Sequence, residues 1–99
     1  RVGKMNKDKT HITHQLARAM VLEQVLIERE RQDKRWGDQT FNTDDHWTVI
    51  LTEGLGDVAR EVYEKNLSDM YTEIIQCAAI CFAWAEAYNN RDKQIPRGI

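Results

Sequence analysis

The amino-acid sequence predicts an all-α domain, and three observations lead to that prediction. Proline and glycine are absent from two long stretches, between Lys4 and Gly37 and between Asp57 and Pro96. Both stretches are rich in residues that favour helices, such as Ala, Leu, Glu, Gln and Arg. Neither stretch alternates apolar and polar residues for long enough to predict a strand.

The first helix is predicted from about Thr10 to Arg35. Its apolar residues recur every three or four positions and so form one stripe along the helix: Ile12, Leu16, Ala19, Met20, Leu26 and Ile27. Gly37 is expected to end this helix, because glycine readily adopts the left-handed conformation found just beyond a helix. The polar segment 37–43 is then expected to form a loop.

The second helix is predicted to begin near Asp44 or Asp45, because a short acidic side chain can cap free N–H groups and oppose the helix dipole. Its apolar residues again follow helical spacing: Trp47, Ile50, Leu51, Leu55, Val58, Ala59 and Val62. Near its end, Glu61 and Lys65 are four residues apart and are expected to form an ion pair.

The third helix is predicted from just after Ser68, a good N-cap residue, to about Asn89. It is apolar on nearly every face, so it has to be covered on more than one side. Two neighbouring helices can cover only part of it. We therefore expect a homo-oligomer that buries Ala79, Ala83 or Trp84 between helices.

The length of 99 residues predicts a single domain over residues 1–99. Its core is expected at about residues 10–89, with terminal extensions at 1–9 and 90–99. The 14 Lys and Arg residues against 16 Asp and Glu give a formal charge of −2. A protein that binds a nucleic-acid polymer usually carries a basic excess, so such a partner is not expected.

The most apolar segment, residues 77–85, is too short to cross a membrane. No charged leader precedes an apolar stretch at the amino end, so a cytoplasmic location is expected. Cys77 and Cys81 are the two cysteines and lie on one side of the third helix. They are interpreted as reduced, small, buried core residues.

Acidic side chains fall into two groups with helical spacing. Glu53 and Asp57 share a face of the second helix, and Glu73 and Gln76 share a face of the third. If these helices pack antiparallel, the two groups could converge. Clustered carboxylates repel one another unless a hard cation such as Mg²⁺ neutralises them, and Mg²⁺ could bridge the phosphates of a nucleotide. The alternative is that both groups are simply the solvated faces of amphipathic helices.

A third group of polar and aromatic residues lies at the end of the first helix, where Arg29, Asp33 and Trp36 fall on one face. An arginine can hold phosphate oxygens with two hydrogen bonds, and an indole can stack on a base. The alternative is an exposed helix rich in salt bridges, with Trp36 as a packing anchor.

Three segments together resemble one known family. Residues 28–37, Glu-Arg-Glu-Arg-Gln-Asp-Lys-Arg-Trp-Gly, resemble the ER-x-RQ-x-x-WG segment of phage and bacterial MazG-like proteins. Residues 47–59 are similar to their W-x-x-x-L-x-EELGEVA segment. Residues 73–79, followed by Ala83 and Trp84, resemble E-L-x-Q-V-A-A followed by A-W. The resemblance covers about residues 23 to 88, in the same order and spacing.

The resemblance implies a Mg²⁺-dependent nucleoside triphosphate pyrophosphohydrolase, which converts a triphosphate to the monophosphate and pyrophosphate. It also implies three-helix protomers that assemble, as a homodimer or homotetramer, into four-helix bundles. The family's metal signature is an E-x-x-E pair on one helix and an E-x-x-D pair on the next. By this resemblance the catalytic residues are Glu53, Asp57 and Glu73, with Gln76 as a further metal ligand. Arg29, Asp33 and Trp36 are the residues expected to bind substrate.

The sequence departs from the family pattern at two of the four expected metal carboxylates, where Gly54 and Gln76 stand instead. Weaker metal binding follows, and two alternatives to the enzyme stay open: a non-catalytic nucleotide-binding or regulatory protein, and a structural helical oligomer. Gly54 and Gly56 each disfavour the helix by about 1 kcal/mol, which predicts either close approach of another helix or a loosened turn. Gly54→Glu with Gln76→Asp should tighten Mg²⁺ binding, unless another helix passes too close to Gly54.

Overall fold

Three helices make up the described part of the chain. The computed structural model describes the backbone of residues 2–94 and the side chains of residues 13–91. The helices are α1 (Val2–Trp36), α2 (Asp44–Tyr63) and α3 (Leu67–Gln94), and no strand occurs between residues 2 and 94. The prediction of an all-helical chain is therefore confirmed. Within the described residues, no helix is both long enough and apolar enough to cross a membrane.

Hydrogen bonds at the helix ends define the boundaries. Gly37 has a φ of 72° and its N–H donates to the Asp33 carbonyl, so it ends α1 as expected. The first residue of α2 is Asp44, as predicted, but its N-cap is Thr43, whose hydroxyl accepts a hydrogen bond from the N–H of His46. Since Thr43 is the cap, the two aspartates act in the first turn, where they oppose the dipole.

Two predicted boundaries of α3 were wrong. The helix starts at Leu67 rather than after Ser68, and the Asn66 side-chain oxygen accepts the hydrogen bond from the N–H of Asp69. Asn66 is as suitable a cap as serine, so the local sequence offered two possible starts. At the other end the helix continues past Asn89 to Gln94. Of the tail expected at 90–99, residues 90–94 are therefore helical, and residues 95–99 lie outside the described residues.

The central element is α3, which packs against both α1 and α2, whereas in the described part of the chain the backbones of the two outer helices do not approach one another closely. The directions follow from the contacts. Asp44, at the start of α2, bonds to Arg91 near the end of α3, and Gly54 lies beside Cys77, so α2 and α3 are antiparallel. A small core lies between α1 and α3, where Val25 packs with Ile75 and Ala79.

One face of α3 is left uncovered within the chain. Six of its positions alternate three- and four-residue steps, the heptad spacing of packed helices: Tyr71, Ile74, Ala78, Cys81, Ala85 and Tyr88. Phe82, four residues after Ala78, lies on the same face. All are exposed except Ala78, which is half-buried. Ala79 was one of the residues expected to be covered by a partner subunit, but it is completely buried inside the protomer. Cys77 is buried as expected, but Cys81 is exposed on this face, which corrects that expectation.

Candidate functional site

Three carboxylates where α2 and α3 pack together are close enough for their charges to interact, and we call Asp57, Glu61 and Glu73 the acidic cluster. Asp57 and Glu61 are four residues apart on α2, and Glu73 lies on α3. Glu61 is buried, while the other two are half-buried. Burial and the negative charges of Asp57 and Glu61 raise the pKa of Glu73 above its ordinary value. Asp57 and Glu73 therefore lie near one another, as the sequence predicted if α2 and α3 pack antiparallel.

Positive charge compensates only part of the acidic cluster. Arg60 forms an ion pair of 3.0 Å with Asp57 and opposes the rise in the pKa of Glu73. Asp69, one turn before Glu73 on α3, adds a further negative charge. Arg60 is exposed and lies on α2, and its ion pair is with Asp57 of the same helix. The cluster keeps an excess of negative charge that a bound cation would relieve.

The donor set suits Mg²⁺ better than a metal that needs a protein cage. Among the side chains of residues 13–91, no three His, Cys, Asp or Glu groups converge closely enough to form a metal site by themselves. Mg²⁺ usually takes one or two carboxylates and completes its shell with water and substrate phosphates. Asp57 and Glu73, together with a phosphate, would fit that requirement.

The position just before the acidic cluster on α2 is turned toward α3. A Cβ added to Gly54 would lie 2.9 Å from the Cys77 Sγ and 3.7 Å from Ile80 Cδ1. α3 therefore passes close to Gly54, which is one of the two explanations that the sequence predicted for this glycine. Nothing lies within 4 Å of a Cβ added at Gly56. Glu53 is exposed, and the charges that act on Glu73 come from other residues.

A cavity of about 320 Å³ lies between the end of α1, the start of α2 and the middle of α3, and its lining residues include Arg31 and no carboxylate. We call it the Trp36 cavity. Its walls include the aromatic rings of Trp36, His46 and Trp47 and the carboxamides of Gln32, Gln39 and Gln76. Gln76 thus lines this cavity, one turn along α3 from Glu73, and is not among the groups that shift the pKa of Glu73. The guanidinium groups of Arg35 and Arg31 lie 5.2 and 5.9 Å from the Trp36 ring centre.

A second cavity, of about 380 Å³, lies on the other side of Trp47, and we call it the Arg29 cavity. Arg29 donates to Asp33 at 2.8 Å and to Glu86 at 2.7 Å. Burial alone would lower the pKa of Arg29, but these two bonds raise it. Both partners, and Asp38 as well, line the cavity, so its charge is negative. Arg29 links α1 to α3 through its bond to Glu86, and its guanidinium is already paired with two carboxylates.

The three residues expected to bind substrate are therefore divided. Arg29 and Asp33 lie together in the Arg29 cavity, whereas Trp36 lies in the Trp36 cavity. Trp36, the last residue of α1, shares its cavity with Gln76 and Ile80 of α3.

Sequence reasoning missed two residues of the site. Glu61 was assigned to an ion pair with Lys65, but α2 ends at Tyr63 and Lys65 has a φ of 61°, outside the helix. The four-residue spacing of Asp57 and Glu61 could have revealed the shared face. Trp47 was counted only as a core residue. Trp47 lines both cavities, as Gln39 does, and no spacing in the sequence indicates this.

Comparison of the chain with protein-family models, with curated proteins and with solved structures gave no match, so the chemistry of the site rests on its own residues.

Proposed function

We propose that this protein is a MazG-like, Mg²⁺-dependent nucleoside triphosphate pyrophosphohydrolase. The observation that carries the proposal is the acidic cluster, one turn along α3 from a cavity lined by aromatic rings, carboxamides and Arg31. Carboxylates suit a cation and its phosphates, and an aromatic cavity suits a base. The three resembling segments supply residues to both places, since Trp36 comes from the first, Asp57 from the second, and Glu73 with Gln76 from the third.

The positions along the helices fit a nucleotide that spans both places. Ile50 lines the Trp36 cavity, and Asp57 is seven residues further along α2, about 10 Å at the helical rise. On α3, Gln76 and Glu73 are one turn apart. A base bound beside Trp36 would therefore direct its ribose and phosphates toward the acidic cluster.

Each part of the site then has a chemical role. When bound, Mg²⁺ would neutralise phosphate charge and favour attack of water on the α-phosphorus. Asp57 and Glu73 supply its carboxylate ligands, and Gln76 orients the nucleotide between base and phosphates. A carboxylate that does not hold the ion accepts the proton of the attacking water, and Glu61 or the exposed Glu53 can serve. The bond between the α-phosphorus and the oxygen that bridges to the β-phosphate breaks, and pyrophosphate leaves with the electron pair of that bond.

Titration with the four dNTPs, with and without Mg²⁺, tests this proposal. We expect release of monophosphate and pyrophosphate in equal amounts, and only when Mg²⁺ is present. Release of inorganic phosphate alone would indicate a different reaction, and an absence of both binding and turnover would leave a structural oligomer.

A second candidate, a non-catalytic nucleotide-binding protein, is favoured by one observation. The side chain at position 54 would meet Cys77, so there is no free space for the carboxylate that the family places there. With a cluster of fewer ligands, Mg²⁺ would bind more weakly. In the same titration, this candidate predicts nucleotide binding without pyrophosphate release.

For the assembly, we propose that a second copy of the chain covers the open face of α3. Four large apolar side chains on that face are between 38% and 59% exposed: Tyr71, Ile74, Phe82 and Tyr88. Contiguous exposed apolar side chains of this kind are typical of protein–protein interfaces. The small side chains of Ala78, Cys81 and Ala85 would allow two such faces to approach closely.

Light scattering at micromolar concentration tests the assembly. We expect the wild-type protein to be a dimer or tetramer, and Phe82→Glu to dissociate it by placing a charge in the heptad face. Tyr63→Glu, a charge at an exposed aromatic residue outside that face, should not change the mass. A wild-type mass near 12 kDa would exclude the proposed interface.

A further inference from the structure

The amino-terminal half of α1 is exposed along its described length. Every residue from 13 to 24 is exposed, and burial against α3 begins only at Val25. We call residues 13–22 the α1 arm. Its large apolar side chains are between 44% and 68% exposed: Leu16, Met20, Val21 and Leu22. Most helical stability in proteins comes from packing of an apolar face, so the arm calls for cover that the described part of the chain does not supply.

A groove of about 420 Å³ lies between α1 and α3, and we call it the α1–α3 groove. Three apolar side chains, among them Leu26 and Phe82, and four carboxylates line it. Arg29 pairs with two of these carboxylates. The other two, Glu23 and Glu30, are exposed and have no ion-pair partner among the side chains of residues 13–91. The groove therefore suits a segment that is both apolar and positively charged.

The α1 arm and the residues before it have this chemistry. Residues 1–22 contain five Lys or Arg residues and one acidic residue. Within the arm, Leu16 and Met20 are four positions apart and so share a face of the helix. Because the two surfaces carry opposite charge, pairing of an arm with a groove is favoured over pairing of two arms or of two grooves.

The arm cannot enter the groove of its own chain. The helix α1 is continuous from Val2 to Trp36, with neither Pro nor Gly between Lys4 and Gly37. Six of the eight residues that line the groove belong to α1 itself. Arm and groove are therefore consecutive stretches of one helix, and about 15 Å of helix separates Leu16 from Leu26. A helix cannot fold back on itself without a break, so the occupant has to come from another chain.

We propose that the α1 arm of one copy docks in the α1–α3 groove of a second copy, and that the exchange is reciprocal. The arm, residues 13–22, and the α1 part of the groove, residues 23–33, are adjacent and of similar length. Two antiparallel α1 helices that meet near residue 23 would therefore bring each arm beside the other copy's groove, a symmetric contact made twice. This inference goes beyond the proposed function, because it depends on neither nucleotide binding nor hydrolysis.

Hydrogen exchange of the arm amides tests the proposal with the full-length protein at micromolar concentration. Leu16→Glu with Met20→Glu alters the arm, and Leu26→Lys alters the groove without touching the arm. All three residues are at least 45% exposed and the new residues favour helices, so the fold should be kept. We expect each variant to speed exchange of the arm amides by about 10-fold or more relative to wild type. The control is Leu55→Lys, at an exposed leucine of α2 outside the groove, which should leave that exchange unchanged.

Mixing the two variants separates docking between copies from an effect within one chain. In a mixed pair, the intact arm of the Leu26→Lys chain meets the intact groove of the other variant. We expect the isotopically labelled arm of the Leu26→Lys chain to regain protection in the mixture, although neither variant is protected alone. Failure to regain it would overturn the proposal, and so would a wild-type arm that exchanges as fast as those of the variants. Neither measurement involves turnover, so a failure of the hydrolase proposal would leave this result unaffected.

Discussion

The two ends of the candidate site differ in the charge of their side chains. In the acidic cluster, burial and the negative charges of Asp57 and Glu61 raise the pKa of Glu73. The Trp36 cavity is lined by aromatic rings, carboxamides and Arg31, with no carboxylate among its lining residues. The first end suits a cation, and the second suits a planar base. A nucleotide with bound Mg²⁺ would place its cation at the acidic cluster and its base in the Trp36 cavity, so the two ends together indicate one ligand.

The largest expected effect is the loss of one carboxylate from the acidic cluster. Glu73→Gln keeps the size of the side chain and the helix propensity but removes a ligand charge. We expect Mg²⁺-dependent pyrophosphate release to fall by about 100-fold or more. Glu64→Gln is the matched control, the same change at the exposed C-cap of α2, and should keep full activity. If Glu73→Gln turns over as fast as wild type, Glu73 is not a ligand and the two ends are not one site.

The next effect concerns the other end of the site. Trp36→Leu removes a stacking surface but leaves the acidic cluster unchanged. Nucleotide affinity should fall by about 1–3 kcal/mol, the usual contribution of a stacked base, while the Mg²⁺ concentration for half-maximal activity stays the same. Tyr63→Leu, at an exposed aromatic residue remote from the cavity lining, is the control. A variant of Trp36 that altered the Mg²⁺ requirement but not nucleotide affinity would contradict the division of roles.

A pair of glycines tests the packing next to the acidic cluster. Gly54→Ala places a Cβ against the Cys77 Sγ at 2.9 Å and should lower the free energy of unfolding by about 1–3 kcal/mol. Gly56→Ala meets nothing within 4 Å and should raise it by up to about 1 kcal/mol through helix propensity. Urea unfolding measures both. Stabilisation by both substitutions would mean that α3 does not pass close to Gly54, and Gly54→Glu would then again be expected to strengthen the metal site.

The smallest effect is the pH dependence of stability. Because the pKa of Glu73 is raised, the folded protein binds the proton at higher pH than the unfolded chain does. Stability is therefore lost as pH rises from the ordinary glutamate pKa through the raised one, and the full penalty remains above it. Glu73→Gln removes the penalty, so at pH 7 it should be more stable by up to about 0.5 kcal/mol. That advantage should vanish on acidification below the ordinary glutamate pKa, and an advantage that grows there would contradict this account.

Several parts of the fold could be predicted from the sequence because they depend on neighbouring residues. The end of α1 at Gly37 and the start of α2 at Asp44 follow from caps and backbone preferences that operate within a few residues. The grouping of acids on one helix face follows from helical geometry. Where two local signals compete, as with Asn66 and Ser68, the sequence does not determine which one caps the helix.

The choice among candidate site residues depended on contacts that no local pattern contains. Glu53 and Glu61 are each four residues from Asp57, yet of these two only Glu61 is among the charges that raise the pKa of Glu73. Likewise, Gly54 and Gly56 are equivalent in helix propensity, but only Gly54 lies at a close approach.

The sequence by itself determined that the chain forms helices, roughly where they begin and end, and which residue types could hold a cation or a base. The tertiary structure alone decided which side of each helix faces its neighbour. It thereby selected Glu61 over Glu53, separated Trp36 from Arg29, and left Phe82 rather than Ala79 on the open face of α3. The physical reason is that hydrogen bonding within a helix is the same for every rotation about its axis. The rotation is set only by the side chains of helices distant in sequence, through packing and the cost of burying their charges.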